Sequence, residues 1–148
     1  MSWENILKRD PLKSNAQELL DFAMDMHLFI SNQHRVFIKH LKQKTWPTGE
    51  RELTRNMSQV EAVMKLSLEF IKRVEDAIKE INEDANYGAQ FLLATLKPAK
   101  NLFENVHRGF SGLPKFFLEE VGMPLPKLLN FDKMIREVEM FVGDDNDN

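Results

Sequence analysis

The sequence predicts an all-α fold, a helical bundle built on a long antiparallel helical hairpin, and three observations carry that expectation. The first is a heptad. Leu53, Met57, Val60, Met64, Ser67, Ile71, Val74, Ile78, Ile81 and Ala85 are spaced alternately by four and three, which holds one line of a helix toward one partner over about nine turns. Only Ser67 interrupts its apolar run. The second is an amphipathic stretch before it, and the third is the short linker between the two. No period-two alternation is long enough to make a strand, and there is no internal repeat.

Residues 3–8 read as one or two turns of helix stopped before Pro11. Ser14 then reads as an N-cap, with Gln17 three residues on completing a capping box. The first long helix, 14–42, carries an outward stripe of Ser14, Glu18, Asp21, Asp25, Asn32, Arg35, Lys39 and Lys42, interrupted only by Leu28. Leu19, Ala23, Met26, Ile30, Phe37 and Leu41 lie opposite. Acids come early and bases late, which suits the helix dipole. Thr45, Trp46, Pro47, Thr48 and Gly49 form the clearest break in the chain, and a linker this short makes its two helices antiparallel neighbours.

The heptad helix, 53–85, has apolar residues at its g positions (Val63, Phe70, Ala77) and Leu68 at e, where a two-stranded coiled coil carries charge. That wider stripe favours a multi-helix bundle. A third helix is expected at 88–108, kinked or interrupted near Lys97 by Pro98 and stopped by Gly109. Short C-terminal helices follow within 113–142, one at about 114–121 and a last one at about 126–142 with Leu128, Phe131, Ile135, Val138 and Val142 on one face. Residues 1–142 make one helical domain on this reading, and 143–148 a disordered acidic tail.

Composition narrows the function classes. A hydrophobic content of 43% with mean hydropathy −0.41 describes a globular chain rather than a disordered one. No stretch approaches the ~20 apolar residues of a spanning helix, so no transmembrane segment is expected. The opening Met1–Lys8 carries Glu4 where a signal peptide needs a base, and a cytoplasmic location is the expectation. Without cysteine there is no disulfide, thiol nucleophile or Cys-based zinc site. Net charge is −3 but unevenly spread: +2 over 1–49, −3 over 50–84, +2 over 85–127 and −4 over 128–148. That pattern argues against uniform binding to a polyanion.

Several constellations can carry chemistry. Glu104 and His107 have the Glu-x-x-His spacing of carboxylate-bridged di-iron bundles. One pair is present, so a di-metal site needs a homodimer, with Glu61 or Glu69 as the further carboxylates. His27 and His34, seven apart, flank the apolar face of the first helix. They are expected to sit at a buried edge, hydrogen-bonded to a neighbouring helix, rather than to form a metal pair or pH switch. Arg35, Lys39, Lys42, Lys44, Arg51 and Arg55 cluster around the first turn with His34, His40 and Trp46, as a phosphate-binding surface with a stacking aromatic requires. Glu50 and Glu52 lie inside that cluster, which favours a solvated helix end. The Phe-rich segment 91–131 supplies candidate partner-binding residues Phe103, Phe110, Phe116, Phe117 and Phe131. Gly109–Leu113 misses the nucleophile-elbow pattern, and no Walker loop, dinucleotide fingerprint or zinc-protease motif appears.

The functional expectation is a non-enzymatic helical interaction or assembly module, without cofactor, that associates with a protein partner or with itself. The alternatives are a carboxylate/histidine metal bundle using Glu104 and His107, and a nucleic-acid-associated regulator using the basic turn.

Overall fold

Two long apolar stripes joined by a Pro- and Gly-bearing turn bury each other most fully by folding back antiparallel, and the chain does so. The computed structural model describes residues 3–47 and 49–143. Five helices are present among them: α1 (Trp3–Gln43), α2 (Glu50–Glu83), α3 (Ala85–Ser111), α4 (Lys115–Glu120) and α5 (Phe131–Gly143), with no strand. The fold is an all-α bundle. Helices α1 and α2 form the hairpin, α3 returns alongside both, α5 packs on α3, and α4 sits against α1. The register of the hairpin is fixed where His27 meets Ser67 and His34 meets Glu61, and near its open end Lys8 of α1 reaches Asn86 at the start of α3.

The heptad packs as a shared helix. Its d positions Leu53, Val60, Ser67, Val74 and Ile81 are buried, as are Phe70 and Ala77 at g, while Met57, Met64, Ile71 and Ile78 at a are half-buried. A helix wedged between two neighbours buries an arc wider than one seam, and α2 divides its arc between α1 and α3. Leu68 at e is a correction: it lies outside that arc, exposed.

Neither interior proline interrupts its helix. Helix α1 runs through Pro11 without a stop, and Ser14 is an exposed mid-helix residue, so the expected capping box does not form. Gln17 instead donates to Asp21 Oδ1 at 2.9 Å. A proline inside a helix costs about 3 kcal/mol, mostly through the lost bond to residue i−4. Leu7, which holds that carbonyl, is on the solvent side, and burial of Leu12, Ala16 and Leu19 on the opposite side offsets the loss. Pro98 is likewise exposed within an uninterrupted α3, with Leu92, Leu96 and Ala99 buried behind it.

Helix α3 begins three residues before the sequence expectation and passes Gly109. Asp84 is the whole connection between α2 and α3; its carboxylate accepts from the N–H groups of Asn86 (3.0 Å) and Tyr87 (3.4 Å). Gly88 lies in the first turn of α3, pressed on Ile81. Helix α5 starts at Phe131 instead of 126, because Asn130 Oδ1 caps the N–H of Lys133 at 3.1 Å and leaves 122–130 irregular. Gly143, the first residue of the expected tail, closes α5, and the rest of that tail, 144–148, lies outside the described residues.

The core converges on an aromatic knot. Phe103 of α3 meets Phe22 of α1 at 5.4 Å, Phe70 of α2 at 5.9 Å and Phe131 of α5 at 6.4 Å. Outside it, Lys100 and Asp132 tie α3 to α5 at 2.6 Å. Their hydrogen bond, with charge attraction adding to it, raises the Lys100 ammonium and lowers the Asp132 carboxyl from their ordinary values. Among the described residues, no helix is long and apolar enough to cross a membrane.

Candidate interaction surface

The polar interruption of the heptad has a partner. His27 Nδ1–H donates to Ser67 Oγ at 2.8 Å, and the Ser67 proton goes to the Met64 carbonyl at 2.9 Å. Two turns on, His34 Nε2–H donates to the Glu61 carboxylate at 3.0 Å. Both histidines therefore bond to α2 from the edge of the α1 face, as their spacing predicts. Removing the Ser67 hydroxyl strands the His27 N–H in a half-buried layer. Ser67→Ala is expected to destabilise by about 1–2 kcal/mol by denaturant titration, and to have no such effect in a His27→Leu background. Equal losses in both backgrounds would show that the bond contributes nothing.

This polar layer lies beneath an exposed apolar one. In antiparallel helices, the residues that follow a facing pair point to the same side, so Leu28, after His27, and Leu68, after Ser67, flank one groove. Met24, one turn before Leu28, continues it. These three side chains are 51%, 54% and 51% exposed for Leu28, Leu68 and Met24 respectively. Half-buried Leu20, Met64 and Ile71 stand at the same edge. Helix α3 covers the other side of the hairpin, where Phe70 meets Phe103. The sequence showed Leu28 only as a gap in a polar stripe. What joins it to Leu68 is the hairpin register, which no local pattern carries.

The expected phenylalanine surface does not form. Phe103, Phe110, Phe117 and Phe131 are buried, and Phe116 alone of the five is exposed. Phe110 packs edge-on against Phe29 at 5.1 Å, and Phe117 stacks on Trp46 at 4.2 Å. An amphipathic C-terminal region facing an open side of the hairpin is consumed as core.

The basic turn is spread rather than gathered. Arg35, Lys39 and Lys42 follow the outer stripe of α1, while Arg51, two residues from buried Leu53, projects from roughly the far side of α2. Arg35 donates to Asn32, and Lys39 lies 3.7 Å from Glu120. Arg55 and Lys44 are exposed, the latter with left-handed backbone (φ 56°). Trp46 is half-buried against Phe117 and Phe37, so the ring expected to stack on a base is already engaged. His40 is buried and clamps three elements: its Nε2–H donates to Glu120 of α4 at 3.1 Å, and Nδ1 pairs with Thr45 Oγ1 at 2.7 Å. The Thr45 N–H also donates to the His40 carbonyl at 3.0 Å, which makes the pair a lock on the turn.

Glu104 and His107 are one turn apart on α3, but His107 Nε2–H donates to the Pro126 carbonyl at 3.0 Å and fixes the irregular 122–130 segment. Glu61, a candidate further carboxylate, holds His34. No group of three or more His, Asp or Glu side chains converges among the described residues as a metal site requires. Gln33, at the far edge of the α1 face, is fully enclosed, and no hydrogen-bond partner meets its amide among the described residues.

A scan against protein-family models finds no match, and neither do searches of curated proteins and of solved structures.

Proposed function

We propose that this chain is a non-enzymatic helical interaction or assembly module that works by helix–helix association across the outer groove of the α1–α2 hairpin. One observation supports it above the others: Met24, Leu28 and Leu68, each about half exposed, lie on the same side of the hairpin by its register. Single exposed apolar side chains are ordinary on a protein surface, whereas several on one side of a helical hairpin offer a partner helix apolar area to cover. Covering the exposed half of each contributes about 1 kcal/mol. Of the phenylalanines that the sequence offered for the same role, Phe103, Phe110, Phe117 and Phe131 are committed to the core.

Light scattering across a wide dilution series tests the reading. The wild-type chain is expected to exceed its 17.3 kDa monomer mass as concentration rises. The Leu28→Glu/Leu68→Glu variant is expected to stay monomeric with unchanged helix content, because both positions face solvent. A wild-type chain that is monomeric throughout would overturn self-association. A variant that associates as the wild type does would place the contact elsewhere.

A further inference from the structure

We infer that the partner on this side of the hairpin is a second copy of the same chain, with the two α1 helices packed antiparallel through their outward stripes about a twofold axis at Leu28. This rests on the reading above and names its partner. The outward stripe of α1 runs Glu18, Asp21, Asp25, Leu28, Asn32, Arg35, Lys39, Lys42, with every acid before Leu28 and every base after it. Asp21 and Arg35 are equidistant from Leu28, seven residues either way, and Glu18 and Lys39 nearly so. At 1.5 Å per residue an antiparallel copy centred on Leu28 therefore sets Asp21 against the partner's Arg35, about 10 Å on each side of the axis. The same surface patch serves both copies, as a closed twofold dimer requires. Parallel packing would set acid against acid and base against base.

The helix dipole favours Lys42 in the last turn of α1 but does not account for the acidic half of this gradient. Its influence is confined to the terminal turns, and α1 begins at Trp3, so Glu18, Asp21 and Asp25 lie about four turns or more inside the helix. Within one chain their charges are not paired off either. Asp21 accepts from the neutral Gln17 amide at 2.9 Å, and Arg35 donates to the neutral Asn32 amide. Among the described residues neither meets an opposite charge within 4.0 Å. Lys39 already shares Glu120, so the two Asp21–Arg35 pairs set the register. A shallow groove of about 270 Å³ runs beside Arg35 and Lys39 where α4 meets α1, with Glu120 on its far wall held by Lys39 and His40. Leu28 meets its own symmetry mate at the centre, with Met24 beside the partner's Asn32.

Charge reversal with complementation tests the register. Asp21→Arg alone and Arg35→Asp alone each place like charges across the axis. Each is expected to weaken self-association on the order of tenfold in sedimentation equilibrium, with helix content unchanged. An equimolar mixture of the two variants restores opposite charges at both pairs and is expected to regain dimer. If the wild type associates and the single variants associate equally well, or if their mixture recovers nothing, this register is overturned while groove association stands. If the wild type is monomeric at every concentration, the underlying reading fails with it.

Discussion

Phe103→Ala is expected to cost about 3–5 kcal/mol of folding stability, the largest loss at any single side chain. The ring is fully enclosed and stands within 6.4 Å, centroid to centroid, of aromatic rings from α1, α2 and α5. Truncation therefore removes the common contact of four helices and leaves a cavity that none of them can close without moving the others. Denaturant titration measures the loss, and near-UV circular dichroism should weaken with it. Phe116→Ala is the matched control: that ring is 46% exposed on α4, and its loss is expected to stay below about 1 kcal/mol. Comparable losses at the two positions would contradict the division into core and surface phenylalanines.

Gly88→Ala is expected to destabilise by about 2–3 kcal/mol, although alanine is the better helix former by about 1 kcal/mol. A Cβ at this position falls 2.5 Å from the Ile81 Cα and 2.6 Å from its backbone nitrogen, closer than real contacts allow. Backbone cannot step aside as a flexible side chain does. Helices α2 and α3 are joined by Asp84 alone, so relief means opening their junction. Gly109, in the same helix with nothing near its missing Cβ, supplies the contrast. There the alanine is expected to gain a few tenths of a kcal/mol. A stabilising Gly88→Ala in thermal or chemical unfolding would show that the two helices are not in close contact.

How much of this was legible in the sequence depends on the range of the interaction. The hairpin was, because a 3.6-residue stripe and a Pro–Gly linker are local signals that the long-range packing happens to obey. The stop before Pro11 was misread, and Pro98 does not interrupt α3, because a proline's local penalty is fixed, whereas the burial of Leu12, Ala16 or Ala99 that offsets it depends on neighbours far along the chain. The start of α3 did have a local signal, since Asp84 is a good N-cap residue and lies just before Ala85. At the candidate site, Ser67 and His27 were each visible as anomalies, a hydroxyl in an apolar seam and an imidazole at its edge. Their pairing follows only from the register, 40 residues apart in sequence. The same register turns Leu28 and Leu68 from two isolated exceptions into one surface. For the phenylalanines, composition gave an apolar region but not the side of the hairpin it covers.

The central claim is that the outer groove of the hairpin is the contact surface, and methyl NMR on dilution addresses it most directly. The methyl resonances of Met24, Leu28 and Leu68 are expected to shift together as the protein is diluted, while those of enclosed Leu12 and Leu92 stay fixed. Shifts confined to the α4 end, at Leu118, or no movement at the three groove residues at any concentration, would contradict it.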